Sequence, residues 1–135
     1  MMKALEKIKV LEDELALLKA DLTKKEAQPI AISESFSFLV HPTDLGKMDW
    51  EDAKKACADL GDGWRLPTRL ELLLMYNNQD ELGGFANNYY WSSTEYSNYG
   101  FAWLQYFYNG RQYGSNKTSK DSVRAVRDNI KPKQR

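Results

Sequence analysis

Residues 89–127 read YYWSSTEYSNYGFAWLQYFYNGRQYGSNKTSKDSVRAVR. Of the chain's 4 Trp, 8 Tyr and 5 Phe, twelve lie between Phe85 and Tyr113, interleaved with Asn, Ser and Gly. Part of the run alternates as a strand does: Trp103, Gln105 and Phe107 point one way, Leu104, Tyr106 and Tyr108 the other. Asn109-Gly110 signals a turn, after which Arg111, Tyr113 and Ser115 alternate again. With Trp103 and Phe107 in the core, the opposite face shows Leu104, Tyr106, Tyr108, Arg111, Tyr113 and Ser115 to solvent. Recognition surfaces favour these residue types, because Tyr gives stiff contact area at low entropy cost and Ser and Asn adapt their hydrogen bonds. The competing reading is an ordinary sheet that uses Tyr for its strand propensity.

The chain has 135 residues, which fits one domain with appendages. Its formal net charge is +0, so nothing electrostatic argues for nucleic acid or an anionic membrane. A single cysteine, Cys57, excludes an internal disulfide, and a single histidine, His41, argues against a histidine-based metal site. No apolar run reaches the roughly 20 residues a membrane span needs. The charged N-terminus lacks the apolar stretch of a signal peptide.

Working outward, residues 2–28 carry a heptad pattern, with Ile8, Leu15 and Leu22 at a and Ala4, Leu11 and Leu18 at d. Lys7 with Glu12, and Glu14 with Lys19, suit parallel pairing; Val10 and Leu17 at c widen the stripe. The expectation is a short parallel coiled coil, ended by Ala27-Gln28-Pro29. The alternative is an amphipathic helix folded on its own domain. Ile30–Val40 reads as one strand and His41-Pro42-Thr43-Asp44 as a turn, His41 serving as a capping or surface group.

Asp49 caps a helix whose apolar stripe is Trp50, Ala53, Ala56 or Cys57, and Leu60. Cys57 there reads as a small buried hydrophobe. Thr68 caps a second helix, Arg69–Tyr76, with Glu71 in its first turn and Leu70, Leu73 and Leu74 facing inward. Residues 77–88 read as a loop. Ser122–Asp128 reads as a closing strand, Val123 and Val126 in the core, Arg124 and Arg127 at its rim. Residues 129–135 form a basic tail, and Asn116-Lys117-Thr118 matches a glycosylation sequon to which no meaning is attached.

Three ordered blocks carry a resemblance. They are Trp50-Glu51-Asp52-Ala53 leading to Gly63-Trp64-Arg65-Leu66-Pro67-Thr68 with Glu71-Leu72; Tyr90-Trp91-Ser92-Ser93-Thr94-Glu95; and Ala102-Trp103, Phe107, Gly110, Lys117 and Val123-Arg124-Ala125-Val126-Arg127. Over residues 33–128 the chain resembles the C-type-lectin-like domains of bacterial surface adhesins and of the variable proteins of diversity-generating retroelements. The resemblance implies an α+β, C-type-lectin-like fold, two helices packed on a small antiparallel sheet, preceded here by the coiled-coil helix. Three segments follow: residues 1–28 for oligomerisation, 29–128 for ligand binding and 129–135 as a flexible tail.

The resemblance also implies a site. In such variable proteins, adenine mutagenesis diversifies exposed positions without producing Lys, Glu, Gln, Met or Trp. The positions between the fixed blocks are Tyr96, Ser97, Asn98, Tyr99, Phe101, Leu104, Tyr106, Tyr108, Arg111, Tyr113, Gly114, Ser115, Asn116 and Asp121, and none is a forbidden type. Lys120, at the edge, is. Trp91 and Trp103 are expected in the core, and Arg65 is expected to pair with Glu71 or Glu95.

The implied function is non-enzymatic binding of a protein or glycan receptor on a cell surface, from a phage virion or bacterial surface. No cofactor, metal, nucleic acid or membrane insertion is expected, and a homo-oligomer, a trimer over a dimer. Formylglycine-generating enzymes share the broad fold but need paired cysteines. Calcium-dependent lectins need a Glu-Pro-Asn or Trp-Asn-Asp signature that this chain lacks. A structural virion or fibre head, and a calcium-independent carbohydrate-binding adhesin, remain the alternatives.

Overall fold

The computed structural model describes residues 27–33, 36–97 and 100–129. The heptad segment up to residue 26 and most of the basic tail lie outside the described residues.

Local chemistry sets both main helices. Helix α1 (Trp50–Asp59) starts where the Asp49 side chain accepts the Asp52 N–H at 2.9 Å. Helix α2 (Arg69–Asn77) starts on a capping box: Thr68 Oγ1 accepts the Glu71 N–H at 3.1 Å, and Glu71 Oε1 accepts the Thr68 N–H at 2.8 Å. A one-turn helix, α3 (Gln79–Leu82), interrupts the expected loop. Trp50, Ala53 and Cys57 form the buried stripe of α1, whereas Leu60 at its end is exposed.

On α2 the expected phase is wrong. Glu71, Leu72 and Met75 face inward, and Leu70, 51% exposed, and Leu73 face solvent, with Leu74 half-buried. The reason lies in Glu71, whose carboxylate must reach both its own N-cap and Arg65. Arg65 grips it with two bonds, Nη1 to Oε1 at 2.7 Å and Nη2 to Oε2 at 2.9 Å. That arrangement turns the 71–72–75 face to the core. The pairing of Arg65 with Glu71 is as expected, and Asp128 adds a third bond at 2.7 Å.

The expected single strand Ile30–Val40 is a hairpin of β1 (Gln28–Ser33) and β2 (Phe36–Val40). With β8 (Val126–Asp128) it makes a three-stranded sheet ordered β1-β2-β8. The second sheet, ordered β3-β7-β4-β5-β6, is built from β3 (Gly46–Met48), β4 (Tyr89–Glu95), β5 (Phe101–Tyr106), β6 (Gln112–Asn116) and β7 (Asp121–Val123). The expected closing strand is therefore two strands, β7 and β8, joined through Arg124-Ala125.

The larger sheet is covered on both faces at its centre. One cluster joins Trp50, Ala53 and Cys57 of α1 to Trp91, Ala102, Leu104 and Val123. The other joins Leu72 and Met75 of α2 to Phe38, Val40, Tyr90, Phe107 and Val126. Both buried indoles find acceptors: Trp50 Nε1 donates to the Ser92 carbonyl at 2.8 Å and Trp91 Nε1 to the Met48 carbonyl at 2.9 Å. Burial pushes the Cys57 thiol up to about 12, the behaviour of an inert core residue.

Arg124, expected at the rim, is 1% exposed. Its Nε donates to Asp44 at 2.6 Å, Nη1 to the His41 carbonyl at 3.2 Å, and Nη2 to the Gly84 carbonyl at 2.7 Å, while the Phe85 ring lies 4.1 Å from the guanidinium. Tyr90 Oη donates to the other Asp44 oxygen at 2.5 Å and accepts the Ala86 N–H at 2.9 Å. Burial and the bond to Asp44 raise the Tyr90 phenol, against the Ala86 N–H, which lowers it. Buried arginine survives here because every side of the guanidinium meets an acceptor or a π face. The group fastens the residue 83–86 segment beneath β4.

Candidate tyrosine surface on the β4–β5–β6 sheet

Facing residues of an antiparallel pair point to the same side of the sheet. Tyr89 faces Tyr106, Trp91 faces Leu104, Leu104 faces Tyr113, and Ala102 faces Ser115. Tyr89, Tyr106 and Tyr113 thus share the side that α1 covers further along; Tyr89 and Tyr113 are exposed there, and Tyr106, on the strand between them, is half-buried. Tyr89 and Tyr106 stack at 4.2 Å between centroids and 14° between planes. Tyr113 meets Tyr89 edge-on at 6.1 Å, and Tyr108 lies 5.9 Å from Tyr106. The four rings are continuous; Tyr108 is 68% exposed, and Tyr89 and Tyr113 are also exposed.

The expected site residues do not form one face. Leu104 is buried, 4% exposed, against Trp91 and Ala102, so it is core and not contact surface. The expectation fails because the alternation was phased on Trp103, and both faces of β5 are covered. Trp103 is itself half-exposed, with Arg69 stacked 3.5 Å over it and Tyr96 at 4.6 Å. Phe101 and Tyr96, 6.4 Å apart, extend this second aromatic group on the α2 side. The Arg69 guanidinium is held there by Gln112, whose amide in turn bridges to Arg69 O and Gln105.

The remaining positions are scattered. Ser97 is exposed in the loop after β4; Asn98 and Tyr99 lie outside the described residues. Gly114 is exposed and sits under Tyr96. Ser115 is half-buried, and Asn116 turns the chain by accepting from the Thr118 N–H at 3.0 Å. Arg111 is exposed at the far end of the tyrosine group. Asp121 precedes Ser122, which pairs with Tyr90, and so comes beside Tyr89 across the sheet. Burial raises its carboxyl, against a Ser119 hydrogen bond and the Lys47 charge that lower it, and its Oδ2 is buried with no partner among the described residues.

Tyr89 was missed by the sequence reading, although it opens the aromatic run. Its pairing with Tyr106 depends on register, which the bulge in β4 between Trp91 and Glu95 conceals. His41, as expected, serves its turn, accepting the Thr43 N–H at 3.3 Å, and its ring meets Trp64 edge-on at 5.1 Å. Among the described residues no helix is long and apolar enough to cross a membrane.

Comparison with known proteins adds a family. A chain from a solved complex of a von Willebrand factor A1 domain mutant with botrocetin is similar at 12% identity and a TM-score of 0.47, covering 76% of this chain and 96% of that one. No curated protein matches. The family model of the Lcl C-terminal domain matches residues 22–127. With its α+β architecture, the chain belongs to the Lcl C-terminal domain family, a family of C-type-lectin-like binding domains.

Proposed function

We propose that this chain is a non-enzymatic ligand-binding module of a phage or bacterial surface, and that the ring-to-ring group Tyr89, Tyr106, Tyr108 and Tyr113, with Arg111, is its contact surface. The observation that carries the reading is that these tyrosines touch one another while three of them, Tyr89, Tyr108 and Tyr113, stay open to solvent around the half-buried Tyr106. Exposed contiguous aromatic surface is an aggregation liability unless a partner covers it. The Tyr96–Phe101–Trp103 group is a second, separate surface, since it lies on the other side of the same ribbon.

The heptad segment supports a homo-oligomer; the preference for a trimer over a dimer comes from the family resemblance, since leucine at both a and d suits either. Multivalent display then raises apparent affinity by roughly 100-fold or more for a repeated target. No cofactor or metal enters this mechanism. The ligand is a protein or glycan on a cell surface, and diversification of the exposed positions fits their residue types.

The test is binding of the full chain to bacterial cells and to a glycan array, alongside a Tyr106→Ala/Tyr108→Ala variant. Loss of binding with the oligomer intact supports the reading. Loss of assembly instead points to a structural fibre head. Sequencing the gene across related isolates tests diversification: variation spread evenly over the surface would remove it.

A further inference from the structure

Each sheet ends in edge strands, and most of these are protected. β1 carries Pro29 and an irregular register between Ala31 and Ser33, and β3 has 3 residues. Both are ordinary ways to keep another chain from pairing. β6 differs. Gln112-Tyr113-Gly114-Ser115-Asn116 contains no proline and no charge, and pairs one-to-one with β5 from Gln105↔Gln112 to Phe101↔Asn116.

The direction of its backbone groups follows from the bonds at both ends. Tyr106 N–H donates to the Arg111 carbonyl at 2.8 Å, and Lys117 N–H to the Gly100 carbonyl at 2.6 Å. Hydrogen-bonded and open pairs alternate along an antiparallel ladder, so Tyr113 and Ser115 bond inward to β5. Gln112 and Gly114 then turn their N–H and C=O outward, and among the described residues nothing takes them. Asn116 also faces out, but its carbonyl is used by the Ser119 N–H at 2.9 Å. Gly114 is exposed and carries no side chain of its own, the place of its Cβ on one face of the strand being taken by the Tyr96 ring. Arg111, exposed at one end, forms no ion pair among the described residues.

We infer that β6 is a strand-addition site, and that the ligand class of the tyrosine surface is an extended segment of a partner protein. The segment bonds to Gln112 and Gly114 through its backbone, lays alternate side chains beside Tyr113, and sets an acidic residue against Arg111. This rests on the tyrosine surface being the contact surface. It adds that main-chain pairing, and not stacking alone, holds the ligand.

The test uses the full chain and a phage-displayed library of linear peptides. The enriched peptide is synthesised, and amide exchange of the free and saturated protein is followed by NMR. Slowing of the Gln112 and Gly114 amides by about tenfold or more, with little change at Tyr113 and Ser115, is the expected result. Enriched peptides share an acidic residue, and Arg111→Glu weakens them by about tenfold. Peptides that bind, are lost with Tyr106→Ala, yet leave Gln112 and Gly114 exchanging freely overturn strand addition while the tyrosine surface stands. Enrichment of no peptide also overturns it, and a glycan-array signal would then keep the tyrosine surface alone. Concentration-dependent protection of those amides in the free chain assigns the edge to a second copy and overturns a foreign partner.

Discussion

The Tyr96 ring lies directly on Gly114: a Cβ at position 114 would come within 2.5 Å of it. Two positions expected to vary are therefore coupled, because a side chain at 114 must expel the ring from its place beside Trp103. Gly114→Ala should destabilise the fold by about 1–3 kcal/mol as an overpacking substitution. Tyr96→Ala/Gly114→Ala should recover part of that loss. Denaturant unfolding of the two single variants and the double variant checks the coupling; strict additivity would remove it.

Leu104 and Tyr108 separate core from contact surface. Leu104→Ala should cost about 2–5 kcal/mol, as a buried leucine does. Tyr108→Ala should change stability by no more than about 0.5 kcal/mol and affect binding only. Urea midpoints for the pair give the comparison, and similar losses at both would contradict the assignment.

The Arg124 side chain is 0% exposed, and that of its partner Asp44 is 25% exposed. Asp44→Ala strands the buried guanidinium and should cost about 3–5 kcal/mol, whereas Arg124→Ala leaves Asp44 with the Tyr90 hydroxyl and water and should cost less. Arg124→Lys should not rescue, since an ammonium cannot reach Asp44 and the His41 and Gly84 carbonyls at once. Melting temperatures of the three variants decide the matter.

The Asp121 carboxyl titrates above its ordinary range, chiefly because burial disfavours its charge. The folded state thus holds this proton more tightly than the unfolded chain. Its contribution to stability is present at low pH and is lost as pH rises from the usual carboxylate range through the raised value. Asp121→Asn should flatten that decline and raise neutral-pH stability by about 1 kcal/mol or less. Unfolding measured from pH 3 to pH 7 shows whether the wild-type slope is missing in the variant.

Features set by near neighbours were legible in the sequence. The Asp49 cap, the Thr68–Glu71 box and the turn at Asn109-Gly110 each need only a few residues, and Arg65 finds Glu71 six positions away. Phase was harder. Ala102 to Phe107 is covered by α1 on one side and α2 on the other, so apolar residues occur on both faces and alternation cannot say which is open. The leucines of α2 surround the helix, and only the demand on Glu71 fixes which of them point inward. Arg124 offered no local signal at all, because its partners come from Asp44, His41 and Gly84, about 40 to 80 positions away. The tyrosine group was half visible: its residue types were plain, but the inclusion of Tyr89 and the exclusion of Leu104 and Phe101 depend on register.

The arrangement of the smaller sheet bears on how the domain carries a mechanical load. β1 and β8 both run antiparallel to the β2 strand between them, so they run parallel to each other. Tension that pulls the chain back from Gln28 and forward from Asp128 drags the two outer strands in opposite senses along their length. The bonds of both ladders lie across that pull and must yield together, as in shear, and not one at a time, as in unzipping. A domain stretched through its two ends should therefore resist abruptly and then give way in a single step, a force signature that optical-trap extension would register directly.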